Sequence, residues 1–199
     1  MEEFILRISM IYKKKENNLA LILLISIIIG ICFACDSHKK ETKNKVSEYM
    51  GDTLYLPTKS EVLYKDSLYT KDIPINNKAK LKISTLLWGD CHSCIADLKK
   101  WEEFYQFVEN KNEVEILFYL YTSDINFFRN SLYNKKNHKY PLILDKKFKY
   151  VDRNKLPFKN KTYQTFLLDS TNKVILVGNP IYSDKLMKLF KQEINKRLN

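Results

Sequence analysis

The chain has 199 residues, with 34 lysines and arginines against 23 aspartates and glutamates, a net charge of +11. Hydrophobic residues make up 45% and aromatics 13%, which is enough apolar material for a packed core in one domain plus extras. The lysines are scattered through every segment and form no dense basic helix or arm, so a solvated lysine-rich surface is expected and a nucleic-acid partner is not.

The N-terminus carries the clearest compositional signal. Lys13, Lys14 and Lys15 precede a 16-residue run without charge, residues 19–34, which ends in Ala34-Cys35. Sixteen uncharged residues are slightly long for a signal-peptide core and slightly short for a spanning helix. The segment resembles a bacterial lipoprotein signal, in which the cysteine after a small residue is acylated and becomes the mature N-terminus. Ala34 and Cys35 match that pattern; Cys32 and Phe33 stand where a leucine and a small residue are usual. The resemblance implies a signal peptide over 1–34, a lipid on Cys35 and a tether over 35–47. An uncleaved N-terminal anchor is the alternative. In both cases the three lysines orient the rest of the chain outside the cytoplasm by the positive-inside rule. The localisation expected is the cell envelope, facing the periplasm or the cell exterior. Segment 1–34 holds four of the 34 basic and three of the 23 acidic residues, so its removal leaves the basic balance nearly intact.

Residues 36–47 read as a flexible linker. Residues 48–78 contain strand-like pieces at 53–57, 61–64 and 66–70, punctuated by Pro57 and Pro74, and are expected to form a small β extension. The pattern changes at 79. A strand ends at Gly89-Asp90, and Ile95, Leu98, Trp101, Tyr105 and Val108 then mark one apolar helical stripe. Residues 114–122 are apolar nearly throughout, as for a strand covered on both faces. A helix over 124–137 has Asp124 as its N-cap, and 140–145 is a short strand. The lysine-rich 146–161 reads as irregular. Strands 165–169 and 173–178 flank Ser-Thr-Asn as a hairpin. A last helix opens at Ser183 or Asp184 and carries Leu186, Phe190, Ile194 and Leu198, with Lys196 and Arg197 suiting its C-terminal dipole. The order implies an α/β fold with a mixed sheet and helices on both faces.

Four cysteines are present. With Cys32 in the signal and Cys35 lipidated, Cys91 and Cys94 remain, which is no general disulfide framework. So short a loop also constrains little unfolded-chain entropy, making a purely structural staple a poor use of the pair. At a strand-to-helix junction, however, the spacing has a chemical use. The first cysteine meets the unpaired N–H groups and dipole of the helix N-terminus, which favour its thiolate. Cys91 would attack a substrate disulfide, and Cys94, one turn inside, would resolve the mixed disulfide. His92 as a cation favours the Cys91 thiolate, unless it only faces solvent; Asp90 opposes it.

Over residues 79–198 the chain is similar to the thioredoxin superfamily, and more narrowly to TlpA-like membrane-anchored thiol–disulfide oxidoreductases. Leu-Leu-Trp-Gly-Asp-Cys-His-Ser-Cys (86–94), Tyr-Pro-Leu-Ile-Leu-Asp (140–145) and the run 165–180 carry the resemblance. It implies a three-layer α/β/α domain over 79–199 that exchanges disulfides with extracytoplasmic protein thiols and needs no organic cofactor. Trp88 matches the family's upstream tryptophan, whereas Asp90 replaces the tryptophan next to the first cysteine. The family's cis-proline position is held by Tyr163 or Gln164, and a non-proline residue there is expected to be trans.

Two other function classes fit the same residues. One is an accessory or binding lipoprotein that keeps the fold without efficient exchange. The other handles copper or zinc through Cys91, Cys94 and a histidine. A structural zinc site lacks a second ligand pair, and the remaining histidines, His38 and His138, stand alone, so no resident metal is expected. Covalent haem attachment is excluded because Ile95, not histidine, follows Cys94. Nothing designates a base for a cysteine hydrolase, and no phosphate loop is present. Trp101 and the aromatics of 125–128 read as core.

Overall fold

A computed structural model describes residues 43–64, 67–73, 78–109, 111–133, 140–157 and 160–199. The proposed signal, Cys35 and the first part of the tether lie outside the described residues. The fold is that of the unit Val46–Asn199. Residues 43–49 are helical (α1), so the end of the expected flexible tether is ordered as helix.

The elements that follow are β1 (Lys59–Tyr64), β2 (Ser67–Asp72), β3 (Leu81–Trp88), α2 (His92–Glu109), β4 (Val114–Tyr121), α3 (Ile125–Tyr133), β5 (Leu142–Leu144), α4 (Lys149–Arg153), β6 (Thr165–Asp169), β7 (Val174–Val177) and α5 (Asp184–Leu198). They build one seven-stranded sheet in the order β2-β1-β5-β4-β3-β6-β7. Strands β3, β4 and β5 run parallel, while β1, β6 and β7 join antiparallel to their neighbours.

Alternation within each strand feeds two cores. On one face Leu81, Ile83, Leu87, Phe118 and Leu120 meet the α2 stripe, Phe128 of α3, and Phe190 and Ile194 of α5. The α2 stripe is Ile95, Leu98, Trp101, Phe104 and Val108; Phe104 is fully buried where Tyr105 was expected, and Tyr105 packs at the margin. On the other face Leu117, Tyr119, Phe166 and Leu168 meet Tyr49, Leu54, Leu56, Tyr150, Val151 and Leu156. Helices on both faces make this the expected α/β architecture.

Local chemistry sets the ends of the elements. Asp124 Oδ1 accepts from the N–H groups of Asn126 and Phe127, both at 2.9 Å, and opens α3. Ser183 Oγ accepts from the Leu186 N–H at 3.4 Å and opens α5. In the β6–β7 turn Asp169 Oδ1 accepts from Thr171 N (2.8 Å) and Lys173 N (3.0 Å), and Asn172 takes φ 68°.

Two expectations are corrected. Residues 146–161 are not irregular throughout: they contain α4 and begin a 3₁₀ turn, Lys161–Tyr163. The short helix has no strong hydrophobic period; it is held by Asp145, whose Oδ2 accepts from Tyr150 N (3.1 Å) and Val151 N (3.4 Å), and by burial of Tyr150 and Val151. In the expected β extension the strands share the main sheet, and one expected strand is absent. Its hairpin β1–β2 joins the main sheet, with Val62 and Leu63 paired to Ile143 and Leu142. The piece 53–57 is no strand; Thr53 makes a single bridge with Lys173 beside β7, while Leu54 and Leu56 are buried. This segment therefore touches one edge of the sheet before β1 forms near the other.

Candidate active site

Strand β3 is buried along its length and delivers Trp88, Gly89 and Asp90 at the C-terminal end of the parallel strands. A Cβ at Gly89 would lie 2.7 Å from Phe128 Cδ2 and 2.9 Å from Thr122 Cβ, so only glycine fits the turn into α2. Cys91 and Cys94 form a disulfide there, S–S 2.00 Å. The N–H of Cys94, in the first turn of α2, donates to Cys91 Sγ at 3.1 Å, and Ser93 Oγ lies 3.2 Å from the same sulfur. One helix-start amide and one hydroxyl thus meet Cys91 Sγ, a setting that favours a thiolate when the bond is reduced. Both cysteines are partly accessible.

The residues expected to tune the pair are placed differently from one another. His92 is exposed, and its ring leans on Phe127 of α3 with centroids 5.3 Å apart. Asp90 turns towards the β4–α3 loop, where its Oδ1 accepts from Thr122 Oγ1 (2.8 Å) and Ser123 N (2.7 Å). Trp88 is half-buried, stands edge-on to Tyr121 at 5.5 Å, and donates from Nε1 to Gln164 Oε1 at 2.8 Å.

Tyr163 and Gln164, at the expected proline position, both have trans peptide bonds. Tyr163 belongs to the core on the α4 face. Gln164 is fully buried and satisfied: besides Trp88, its Nε2 donates to the Pro157 carbonyl at 2.7 Å, and its own carbonyl accepts from Leu86 N at 3.0 Å. A buried amide so paired fixes the loop before β6 to β3 without a proline ring.

One residue that sequence reading missed completes the site. Lys161, in the 3₁₀ turn just before Gln164, donates from Nζ to Cys94 Sγ at 3.1 Å. Below the sulfur sits Asp97, one turn further along α2, which accepts from Tyr182 Oη and, at 3.1 Å, from Lys100. Burial first, and then Asp97, push the Tyr182 phenol above its ordinary pKa, so it stays a donor. No motif marks Lys161; its only sequence signal is a place three residues before Gln164. Cys94, Asp97, Lys161 and Tyr182 surround a recess of about 10 Å³, room for at most one water. Among the described residues the pair thus stands beside a shallow recess at the surface. Among the described residues, no three His, Cys, Asp or Glu side chains cluster as metal ligands, and no helix is long and apolar enough to cross a membrane. His38 and His138 are outside the described residues.

No family model matches the sequence, and no curated protein matches it. Solved structures do. A Bacteroides thetaiotaomicron protein named as a candidate protein disulfide isomerase is similar at 14% identity, TM-score 0.54, over 75% of this chain and 89% of its own. The reduced 2-Cys peroxiredoxin of Plasmodium vivax is similar at 12% identity, TM-score 0.53, over 76% of this chain and 99% of its own. The thioredoxin domain of a Bacteroides vulgatus thiol–disulfide oxidoreductase is similar at 12% identity, TM-score 0.50, over 70% of this chain and 96% of its own. Identities this low carry the fold and no more: the chain has a thioredoxin-like fold.

Proposed function

We propose that the chain is a membrane-tethered thiol–disulfide oxidoreductase that exchanges disulfides with extracytoplasmic protein partners. A thioredoxin-like fold that carries a Cys-x-x-Cys disulfide supports a redox function. The observation that carries the finer reading is the pair's setting: Cys91 Sγ receives a helix-start amide, and Cys94 Sγ receives an ammonium group.

The chemistry follows from that setting. In the reduced protein the Cys91 thiolate attacks one sulfur of the partner's disulfide, forming a mixed disulfide and releasing one partner thiolate. The Cys94 thiolate then attacks Cys91 Sγ, re-forms the Cys91–Cys94 bond and releases the second partner thiolate. Two electrons pass to the partner, and the reverse sequence oxidises a partner dithiol. Lys161 is a positioning residue that favours the Cys94 thiolate. His92 and Asp90 are tuning residues of opposite sign, and Trp88 holds the floor of the site. The partner in this reading is a protein thiol or disulfide, which can meet the partly accessible sulfurs at the surface. In this reading residues 1–34 are the signal, Cys35 carries the lipid, and the domain from 79 faces the periplasm or cell exterior. The mechanism uses no organic cofactor.

The test is the reduction potential of the pair in the detergent-solubilised full chain, equilibrated against glutathione with thiol trapping. A reversible two-electron transition between about −120 and −270 mV, the range of known exchange catalysts, is expected. A pair that stays closed well below about −300 mV overturns it. The second reading, an accessory lipoprotein that keeps the fold without efficient exchange, then takes its place. Its motivating observation is buried Gln164 where the family has its cis-proline.

A further inference from the structure

The core on the α4 face of the sheet comes to the surface at the cysteine end. Leu86 and Tyr119 are buried on that face. Trp88 and Tyr121 stand two residues further along the same strands, paired across β3 and β4, and so point the same way. Both are half-buried, where the buried layer ends. Phe148, half-buried in the turn between β5 and α4, continues the line. Trp88 is edge-on to Tyr121 at 5.5 Å, and Tyr121 stacks on Phe148 at 4.0 Å. The first ring of this strip lines the recess beside Cys94, together with Lys161. Three partly exposed aromatics thus run from the disulfide across the ends of β3 and β4 to the turn after β5.

Phe148 holds its place in the row at a conformational cost. Its backbone takes φ 51° and ψ 24°, the left-handed region, at the start of α4, and its side chain offers no capping hydrogen bond. Glycine or asparagine adopts that backbone readily, whereas a bulky residue there is an outlier. Packing accounts for part of the row, since all three rings rest on the core of the α4 face. It does not account for a strained phenylalanine whose ring stays partly open to water. Rigid aromatic rings that are only partly covered are the groups protein interfaces use as anchors. Trp88 is fixed as well, by the bond from its Nε1 to Gln164 at 2.8 Å.

We propose, resting on the oxidoreductase reading, that this strip docks an aromatic or large aliphatic side chain of the partner, carried on an extended segment beside the partner's cysteine. A partner whose cysteine is bonded to Cys91 lays its neighbouring residues over the surface around the pair, and the strip is continuous with that surface through Trp88. An extended chain advances ~3.3 Å per residue, so a side chain about three residues from that cysteine can reach the strip. The step assisted is the first one. The Cys91 thiolate attacks one partner sulfur, the mixed disulfide forms and the other partner thiolate leaves, while the ring contacts hold the partner in place. The strip thereby selects partners by the residues that flank their disulfide.

The probes are two synthetic peptides, each with one cysteine and oxidised to its symmetric disulfide dimer. One has phenylalanine three residues to either side of the cysteine; the other has serine there. The reduced full chain carrying Cys94→Ser, held in lipid-bilayer discs, traps the mixed disulfide, and peptide mapping assigns it to Cys91. The readout is the ratio of the two rate constants for its formation. The phenylalanine peptide should react about tenfold faster. Adding Phe148→Asn, which suits the left-handed backbone, should bring the ratio below about twofold, and so should Tyr121→Ser. Leu189→Ser, which changes an exposed apolar residue on α5, should leave the ratio unchanged. Equal rates for the two peptides overturn the inference and leave the oxidoreductase reading standing. So does a ratio that Phe148→Asn leaves intact, which would make the row the margin of the core and nothing more. No reaction of Cys91 with either peptide or with glutathione disulfide overturns the oxidoreductase reading, and the docking strip with it. Should Tyr121→Ser not fold, Phe148→Asn decides by the same ratio.

Discussion

Lys161 Nζ lies 3.1 Å from Cys94 Sγ, bringing a cation from the loop before β6 to a sulfur in the first turn of α2. A positive charge there favours the thiolate and thereby the reduced pair, which makes the disulfide more oxidising. Lys161→Met should shift the glutathione equilibrium about tenfold towards the disulfide, a fall of about 30 mV in potential. Lys161→Arg should restore most of it. The pH dependence of Cys94 alkylation in a Cys91→Ser background separates this role from a structural one: loss of Lys161 should move that profile to higher pH. An unmoved potential and profile would show that the lysine only packs against the site.

Gln164 bridges Trp88 and Pro157 from a fully buried position. Gln164→Leu keeps the volume and abandons two half-buried partners, each costing up to about 1–3 kcal/mol. Chemical denaturation should show a loss of about 2–4 kcal/mol, and Trp88 fluorescence should report a looser ring. A change under 0.5 kcal/mol would mean that the amide's bonds are not holding the loop.

At Gly89 there is no space for a methyl group against Phe128 and Thr122. Gly89→Ala should lower stability by about 1–3 kcal/mol through overpacking. Because Gly89 is two residues from Cys91, exchange rate should fall as well. Phe128→Leu in the same chain should recover part of the stability; no recovery would place the strain elsewhere.

Several phenols resist ionisation in the folded state. Burial, then Glu48, raises Tyr49 to about 12, and burial raises Tyr119, Tyr140 and Tyr150 above the ordinary value of 10.0. A folded pKa above the unfolded one means that this stability is complete below pH ~10 and is lost as pH climbs through the folded values. Urea melts from pH 8 to 11.5 should therefore show a falling midpoint above pH ~10. Tyr49→Phe should be less stable at pH 8, having lost its 2.7 Å bond to the Lys155 carbonyl, yet fall less steeply above pH ~10. Equal slopes would contradict the assignment.

Cys35 is the proposed lipid attachment. In cells labelled with a fatty acid, the wild-type chain should carry label and fractionate with membranes, and Cys35→Ser should carry none. A labelled Cys35→Ser chain would move the modification elsewhere; an unlabelled wild type would favour the uncleaved anchor.

Elements whose causes are local can be read along the chain. The α2 stripe, the Asp124 and Ser183 caps and the Asp169 turn each arise from residues within a few positions of one another, so periodicity and capping chemistry reveal them. The cysteine pair was legible for the same reason: its spacing spans one helical turn. Contacts between distant segments set the other placements. The place of the β1–β2 hairpin in the sheet depends on pairing with β5, about 80 residues on. Lys161 meets Cys94 across 67 residues, and Gln164 meets Trp88 across 76. In a sequence crowded with lysines and tyrosines, no spacing distinguishes those that reach the cysteine site from those that face water. Strand register makes that distinction, because it sets which side chains share a face and which loops meet at the end of the sheet.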